Sequence, residues 1–226
     1  MQQIKNLLFD CDGVLYPVSQ LSLQDFVDAV KAMYRYDLKV TPEEQNFISA
    51  QTINENHLGL FNYVKAMCIY KNYDFDEFCT KMVNRLDFSK IKPNKKLYNN
   101  LVKLSQHYNL AILSNNCYPH LEKICNYVFD KSTSDLAEKG IKVYDIKALE
   151  KDGWFMPKRV VGSLKYFLET HNMQPQETAL FDDIKENIEA AKRIGMRGIV
   201  ISDVSTLDKA LNPYLITPKP LRKVYE

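Results

Sequence analysis

The feature that most constrains this chain is a short apolar run that stops at two acids. Ile4, Leu7, Leu8 and Phe9 lead directly into Asp10-Cys11-Asp12-Gly13-Val14-Leu15, and Pro17 closes the stretch. A short, near-continuous apolar run suits a strand of a parallel sheet covered on both faces better than a half-exposed alternating strand. Polar groups at its end then emerge at the carboxyl edge of the sheet, where open α/β folds bind their ligands. Gly13 permits a tight turn or a close approach immediately after the acids. Taken alone, Asp-x-Asp-Gly can also be read as turn acids flanking a glycine.

Two later stretches repeat the design. Leu110-Ala111-Ile112-Leu113 ends in Ser114-Asn115-Asn116, and Ala179-Leu180-Phe181 ends in Asp182-Asp183. If the three runs are neighbouring parallel strands, their ends converge on one small volume holding four carboxylates, a hydroxyl and amides. Carboxylates crowded together raise one another's pKa and resist ionising, so the cluster implies a cation. Oxygen donors without His or Cys favour a hard divalent ion, and Mg²⁺ where the site also handles phosphate.

The rest of the sequence narrows the class. A formal charge of +2 over 226 residues gives no argument for a nucleic acid polymer, and 46% apolar with 26% charged residues is ordinary for a globular protein. The five cysteines, 11, 68, 79, 117 and 125, form no C-x-x-C pair and no zinc spacing, which suits reduced thiols. Cys11, between the acids, is expected to face away from both and to pack. The first apolar run is too short for a signal peptide and no segment reaches the length of a membrane span, so a cytoplasmic protein is expected. Oligomeric state is not legible.

Residues 18–90 read as mostly helical. Phe26, Val27, Val30, Met33 and Tyr34 recur at helical spacing, and Thr41-Pro42-Glu43-Glu44 is a helix start with a hydroxyl cap and Pro at the first position. Leu60, Phe61, Val64, Met67 and Cys68 mark a third helix, and Asp76 is the expected cap of a fourth carrying Phe78, Cys79, Met82, Val83 and Leu86. Four helices placed directly after the acidic turn would form a lid. Its His57, Tyr63, Tyr70 and Tyr73 could touch a substrate, although packing of a Tyr-rich unit accounts for them better. The α/β rhythm resumes at Lys92-Pro93. A helix carries Leu97, Leu101 and Leu104, another carries Leu121, Ile124, Cys125 and Val128, and a short strand is expected near Val128-Phe129. Residues 130–157 read as an irregular excursion. A helix follows Lys158, another spans Glu186 to Ile194 and ends at Gly195, and Gly198-Ile199-Val200-Ile201 is a further strand. From Pro213, with Pro218 and Pro220 and the basic Lys219, Arg222 and Lys223, a loosely packed terminus is expected. The division is an α/β core of residues 1–17 and 91–226, a three-layer Rossmann-like arrangement on a mostly parallel sheet, with an all-helical cap of residues 18–90 inserted after the first motif.

These features together resemble the haloacid dehalogenase superfamily of phosphohydrolases along nearly the whole chain. Asp10-Cys11-Asp12-Gly13-Val14-Leu15 is similar to that family's nucleophile loop, and Ser114 matches its second motif. Asp182-Asp183 with Asn187-Ile188-Glu189-Ala190-Ala191 and Gly195-Met196 resembles its fourth motif, and the helical block resembles its small helical cap. Lys158 stands where the third-motif lysine is expected, with Lys165 as the alternative. Arg159 stands where that family usually has Pro, and Ile184 where a small hydroxyl residue is common. Tyr16-Pro17 and Ile91-Lys92-Pro93 look most like the pyrimidine 5′-nucleotidase-like branch.

The resemblance implies that Asp10 is a nucleophile forming an aspartyl-phosphate, and that Asp12 is its general acid and base. It implies Mg²⁺ held by Asp10, the main-chain carbonyl of Asp12, and one or both of Asp182 and Asp183. Ser114, Asn115 and Lys158 would bind the phosphoryl group, with Lys158 also balancing the charge of Asp10. The expected function is a Mg²⁺-dependent phosphatase on a small phosphorylated metabolite such as a nucleoside monophosphate. The second acid, Asp12, separates this from the dehalogenase branch. A phosphomutase, a protein phosphotyrosine phosphatase acting on a phosphoprotein, and a binding or regulatory module that lost turnover are the alternatives.

Overall fold

The structure is a computed structural model and describes residues 3–54 and 59–216. The strand β1 (Asn6–Phe9) is followed by α1 (Leu23–Ala32), α2 (Pro42–Asn54), α3 (Leu60–Tyr70) and α4 (Phe75–Val83). Next come α5 (Lys95–Ser105), β2 (Asn109–Leu113), α6 (Tyr118–Phe129), α7 (Thr133–Glu138) and β3 (Ile141–Tyr144). A small pair, β4 (Glu150–Lys151) and β5 (Trp154–Phe155), precedes α8 (Val161–Thr170), β6 (Thr178–Asp182), α9 (Lys185–Arg193), β7 (Arg197–Val200) and α10 (Val204–Ile216).

The main sheet has five parallel strands in the order β3-β2-β1-β6-β7. The three runs singled out in the sequence are therefore its three central strands, with β1 between the other two. Side chains alternate across the sheet. Leu7, Phe9, Leu110, Ile112, Ala179 and Phe181 enter one core with residues of α5, α6 and α10. Leu8, Ala111, Leu113 and Leu180 enter a second core with α8 and α9. Burial on both faces explains why these strands read as continuous apolar runs, and the result is a three-layer α/β fold with a mostly parallel sheet and a helical insertion.

The insertion forms by local rules. Ser22 caps α1 by accepting from the amides of Gln24 and Asp25. Thr41 and Glu44 make a reciprocal capping box at α2, with bonds of 3.2 and 2.8 Å. At α4 the cap is Asp74, whose carboxylate accepts from the Glu77 amide, and Asp76 lies inside the first turn. The two acids are spaced so that either could cap, and Asp74 wins because its backbone is still extended there. Tyr63 donates to the carbonyl of Gln45, Tyr70 packs on Phe47, and Tyr73 donates to Glu77. His57 lies outside the described residues.

Three further expectations are corrected. Val128 and Phe129 belong to the end of α6, on the buried face that Leu121, Ile124 and Cys125 begin, and the strand at this edge is Ile141–Tyr144. The irregular stretch before Pro157 contains a tight hairpin: Asp152 and Gly153 both take positive φ, 53° and 84°, and join β4 to β5 through two residues. The chain from Pro213 continues α10 as far as Ile216, and Tyr214 is buried against Phe181. Pro218, Lys219, Pro220, Arg222 and Lys223 lie outside the described residues.

The hairpin fastens the insertion to the core. Asn62 of α3 exchanges two 2.8 Å hydrogen bonds with the backbone of Phe155, Lys65 pairs with Glu150 at 2.9 Å, and Lys147 pairs with Asp76 of α4. Among the described residues no helix is long and apolar enough to cross a membrane.

Candidate active site

Parallel register sets the site. Phe9 is level with Ile112 and Phe181, so the next residues, Asp10, Leu113 and Asp182, stand side by side at the carboxyl edge of the sheet. The Asp10 amide donates to the Phe181 carbonyl at 2.8 Å, which carries the ladder one residue beyond β1.

Lys158 enters this cluster from the segment before α8. It is fully buried, with Nζ 2.6 Å from Asp10 Oδ1, 2.8 Å from Asp182 Oδ2 and 3.1 Å from the Leu113 carbonyl. Lys165 is exposed on α8, 3.8 Å from Glu169, and takes no part. Asp182 is held further by Asn187 Nδ2 at 2.9 and 3.0 Å and by the Ile184 amide at 2.9 Å.

Asp10, Asp182 and Asp183 each offer an oxygen within 4.8 Å of the others. Burial pushes the Asp10 carboxyl well above its ordinary range, Lys158 pulls it down, and Asp182 and Asp12 push it up again. Burial and Asp182 likewise raise Asp183. Burial alone would lower Lys158, but Asp10 and Asp182 outweigh it and keep the ammonium charged. One lysine against three crowded carboxylates leaves the site short of positive charge, and an all-oxygen donor set of this kind fits a hard divalent cation. Gly13 makes the cluster possible. Its φ is +79°, and a Cβ there would stand 2.1 Å from Asp183 Oδ2.

The Asp12 carboxylate turns away from the cluster. It accepts from the Tyr16 hydroxyl, from Asn116 Nδ2 at 2.5 Å, and meets His120 Nε2 at 2.9 Å. Burial raises its pKa, but the charge and hydrogen bond of His120, with the bonds from Tyr16 and Asn116, outweigh burial and hold it at about 2. Ser114 is buried at the end of β2, where its amide donates to the Tyr144 carbonyl and its hydroxyl accepts from the Asn116 amide. Asn115 Oδ1 accepts from the Lys158 amide at 3.0 Å, tying the end of β2 to the lysine segment.

The sequence reading gave no role to His120, Asn116 or Asn187. Asn116 and Asn187 lie inside stretches already singled out, without a role of their own, and His120 falls on the apolar face of α6 with Leu121 and Ile124, where a polar residue needs a partner. Cys11 is buried and packs. Tyr63, Tyr70 and Tyr73 do not line the cleft that opens over Asp12 and Asp183, a cavity of about 730 Å³ between the helical insertion and the sheet edge.

Comparison with known proteins bears on this arrangement. No curated protein matches the chain. Among solved structures, a predicted HAD-like family hydrolase from Porphyromonas gingivalis aligns with a TM-score of 0.56 at 17% identity, over 96% of this chain and 100% of that one. A HAD family enzyme from Bacteroides thetaiotaomicron, in complex with magnesium and inorganic phosphate, aligns with a TM-score of 0.51 at 20% identity, over 87% and 93%. A CbbY mutant from Rhodobacter sphaeroides in complex with xylulose-(1,5)bisphosphate aligns with a TM-score of 0.51 at 17% identity, over 88% and 86%. At these identities the likeness is one of fold. The family model described as haloacid dehalogenase-like hydrolase matches residues 7–201, from the first strand to the end of the last, and the chain belongs to that family.

Proposed function

We propose that this protein is a Mg²⁺-dependent phosphatase that hydrolyses a small phosphomonoester through an aspartyl-phosphate on Asp10. The observation that carries the reading is Lys158, buried 2.6 Å from Asp10 and 2.8 Å from Asp182, in a cluster whose remaining carboxylate, Asp183, faces the cleft. The Bacteroides enzyme of the same fold, solved with magnesium and inorganic phosphate, supports the choice of ion and ligand.

Asp10 Oδ1 is occupied by Lys158 and by the Cys11 amide, which leaves the other oxygen to attack phosphorus. The bond to the leaving alcohol breaks as the Asp10–phosphorus bond forms, and Asp12 delivers a proton to the departing oxygen. A dianionic phosphoryl group beside Asp12 raises that carboxyl's affinity for the proton it must carry. In the second half Asp12 takes a proton from water, the water oxygen bonds to phosphorus, and Asp10 is released with inorganic phosphate. Ser114 and Asn115 hold phosphoryl oxygens, and Lys158 offsets the charge of Asp10. Asp10, Asp182 and Asp183, with the main-chain carbonyl of Asp12, would hold Mg²⁺, which supplies charge neutralisation on the transferring group. Residues 18–90 act as the cap that shields the reaction from bulk water. Five unpaired, buried thiols support a reducing, cytoplasmic setting.

Nucleoside monophosphates enter the test as substrates of the branch that Tyr16-Pro17 resembles. The experiment is phosphate release from a panel of phosphomonoesters, with Mg²⁺ and with EDTA, by the wild type and Asp10→Asn. Release that needs Mg²⁺ and disappears in the variant is expected. Wild-type turnover by Asp10→Asn would remove Asp10 from the mechanism.

A further inference from the structure

The walls of the cleft say more about the leaving group than the motifs do. Phe26 of α1 and Leu60 and Phe61 of α3 line it from the insertion, and Ile146, Phe155 and Ile184 from the core. Its rim is apolar as well: Leu23 is 78% exposed and Ile184 46%.

The polar side chains of the lining are mostly engaged within the protein. Tyr16 and Asn116 are committed to Asp12, and so is Nε2 of His120, whose Nδ1 is buried without a partner among the described residues. The Asn62 amide is used at both ends by the Phe155 backbone, and the Ser22 hydroxyl caps α1. Beyond the reacting carboxylates, Asn115 and the buried Nδ1 of His120, only Ser19 and Arg159 remain among the described residues that line the cleft. A sugar or a nucleobase entering here would find few replacements, Ser19 and Arg159 chiefly, for the hydrogen bonds to water that it gives up, whereas an apolar body would gain by leaving water.

Resting on the phosphatase reading above, we infer that the cleft takes the apolar body of the leaving alcohol, so that the substrate class is the phosphomonoester of a small alkyl or arylalkyl alcohol. The bond broken and the proton given are those already described. What is added is the selection: Leu60, Phe61 and Phe155 recognise the alcohol by burial, and sugar phosphates and nucleotides are disfavoured by how few free polar groups the described lining offers.

The test measures kcat/KM with Mg²⁺ for phenylethyl phosphate and hexyl phosphate against glycerol phosphate, a pentose phosphate and a nucleoside monophosphate. All are esters of primary alcohols, which limits differences in leaving-group acidity. A preference of about tenfold or more for the apolar esters is expected, the size that hydrophobic pockets commonly deliver. Leu60→Asp should narrow that ratio, and so should Leu23→Asp, whose side chain is already in solvent and so cannot disturb the core. Equal or better turnover of the sugar phosphate or nucleotide overturns the inference and leaves the phosphatase reading standing. An unchanged ratio in both variants overturns the assignment to this cleft. A phosphotyrosyl peptide used more efficiently than free phosphotyrosine overturns the small-molecule form. No phosphate released from any ester removes the phosphatase reading and the inference with it.

Discussion

His120 Nε2 sits 2.9 Å from Asp12 Oδ1, and the imidazole is 1% exposed. Phe26 and Phe88 pack against the ring, and Nδ1 has no hydrogen-bond partner among the described residues. Among the described residues Asp12 is thus the one hydrogen-bond partner of this imidazole, and the histidine is one of three side chains that orient Asp12.

The pair links stability to pH. Burial lowers the His120 pKa, but Asp12 outweighs burial and raises it above 6.5, and Asp12 itself falls from 3.8 to about 2. A raised histidine contributes stability that is complete below its unfolded value and is lost as pH rises through the folded one. A depressed aspartate contributes stability that is present above its unfolded value and is lost as pH falls toward about 2. The pair should therefore stabilise most between about pH 4 and about pH 6.5. In metal-free protein we expect Tm to decline above about pH 7, and His120→Gln to flatten that decline. Thermal melts of both proteins from about pH 5 to about pH 9 make the comparison, and parallel curves would refute it.

Lys158 and Lys165 separate sharply by burial. Lys158→Met leaves Asp10 and Asp182 buried without their shared cation, which should cost about 3–5 kcal/mol of unfolding free energy. Lys165→Met removes an exposed helix-surface pair and should stay within about 0.5 kcal/mol of wild type. Urea denaturation of the two variants decides which lysine is structural to the site.

Gly13 and Gly153 have similar positive φ, 79° and 84°, and different surroundings. Alanine at either strains a positive φ, at a cost of about 1–2 kcal/mol. Only at Gly13 does the new methyl meet a carboxylate; at Gly153 nothing lies within 4 Å. Gly13→Ala should weaken Mg²⁺ binding about tenfold or more by displacing Asp183, and Gly153→Ala should leave it unchanged. Calorimetric titration with Mg²⁺ reads both, and equal affinities would disconnect Gly13 from the metal site.

Asn62 replaces a missing strand for Phe155. Asn62→Leu would leave the Phe155 amide and carbonyl without partners, at about 2 kcal/mol or more. Faster hydrogen exchange at the Phe155 amide and looser attachment of α3 to the hairpin are expected. Exchange at the wild-type rate would show that another group takes over.

The sequence made the elements of the core legible because each obeys a local rule. The three central strands announce themselves as apolar runs since both faces are covered, and Thr41, Glu44 and Gly195 mark helix ends through contacts only a few residues long. The errors fall where two local signals compete. Val128-Phe129 is β-branched and aromatic, yet it completes a helical face; Asp152-Gly153 is the turn of a hairpin too short for alternation to reveal.

The amino-acid sequence by itself determined which segments end in carboxylates and that so many acids at one sheet edge need positive charge. The tertiary structure alone decided that Lys158 rather than Lys165 meets them, that Asp12 faces Tyr16, Asn116 and His120, and that the cleft wall is largely apolar with the amides of Asn62 and Asn116 already engaged. Strand and helix ends follow from interactions between near neighbours in the chain. Which lysine is buried, and which polar groups stay free for a ligand, depends on pairings such as Asp12 with His120, between segments far apart in sequence and brought together by packing.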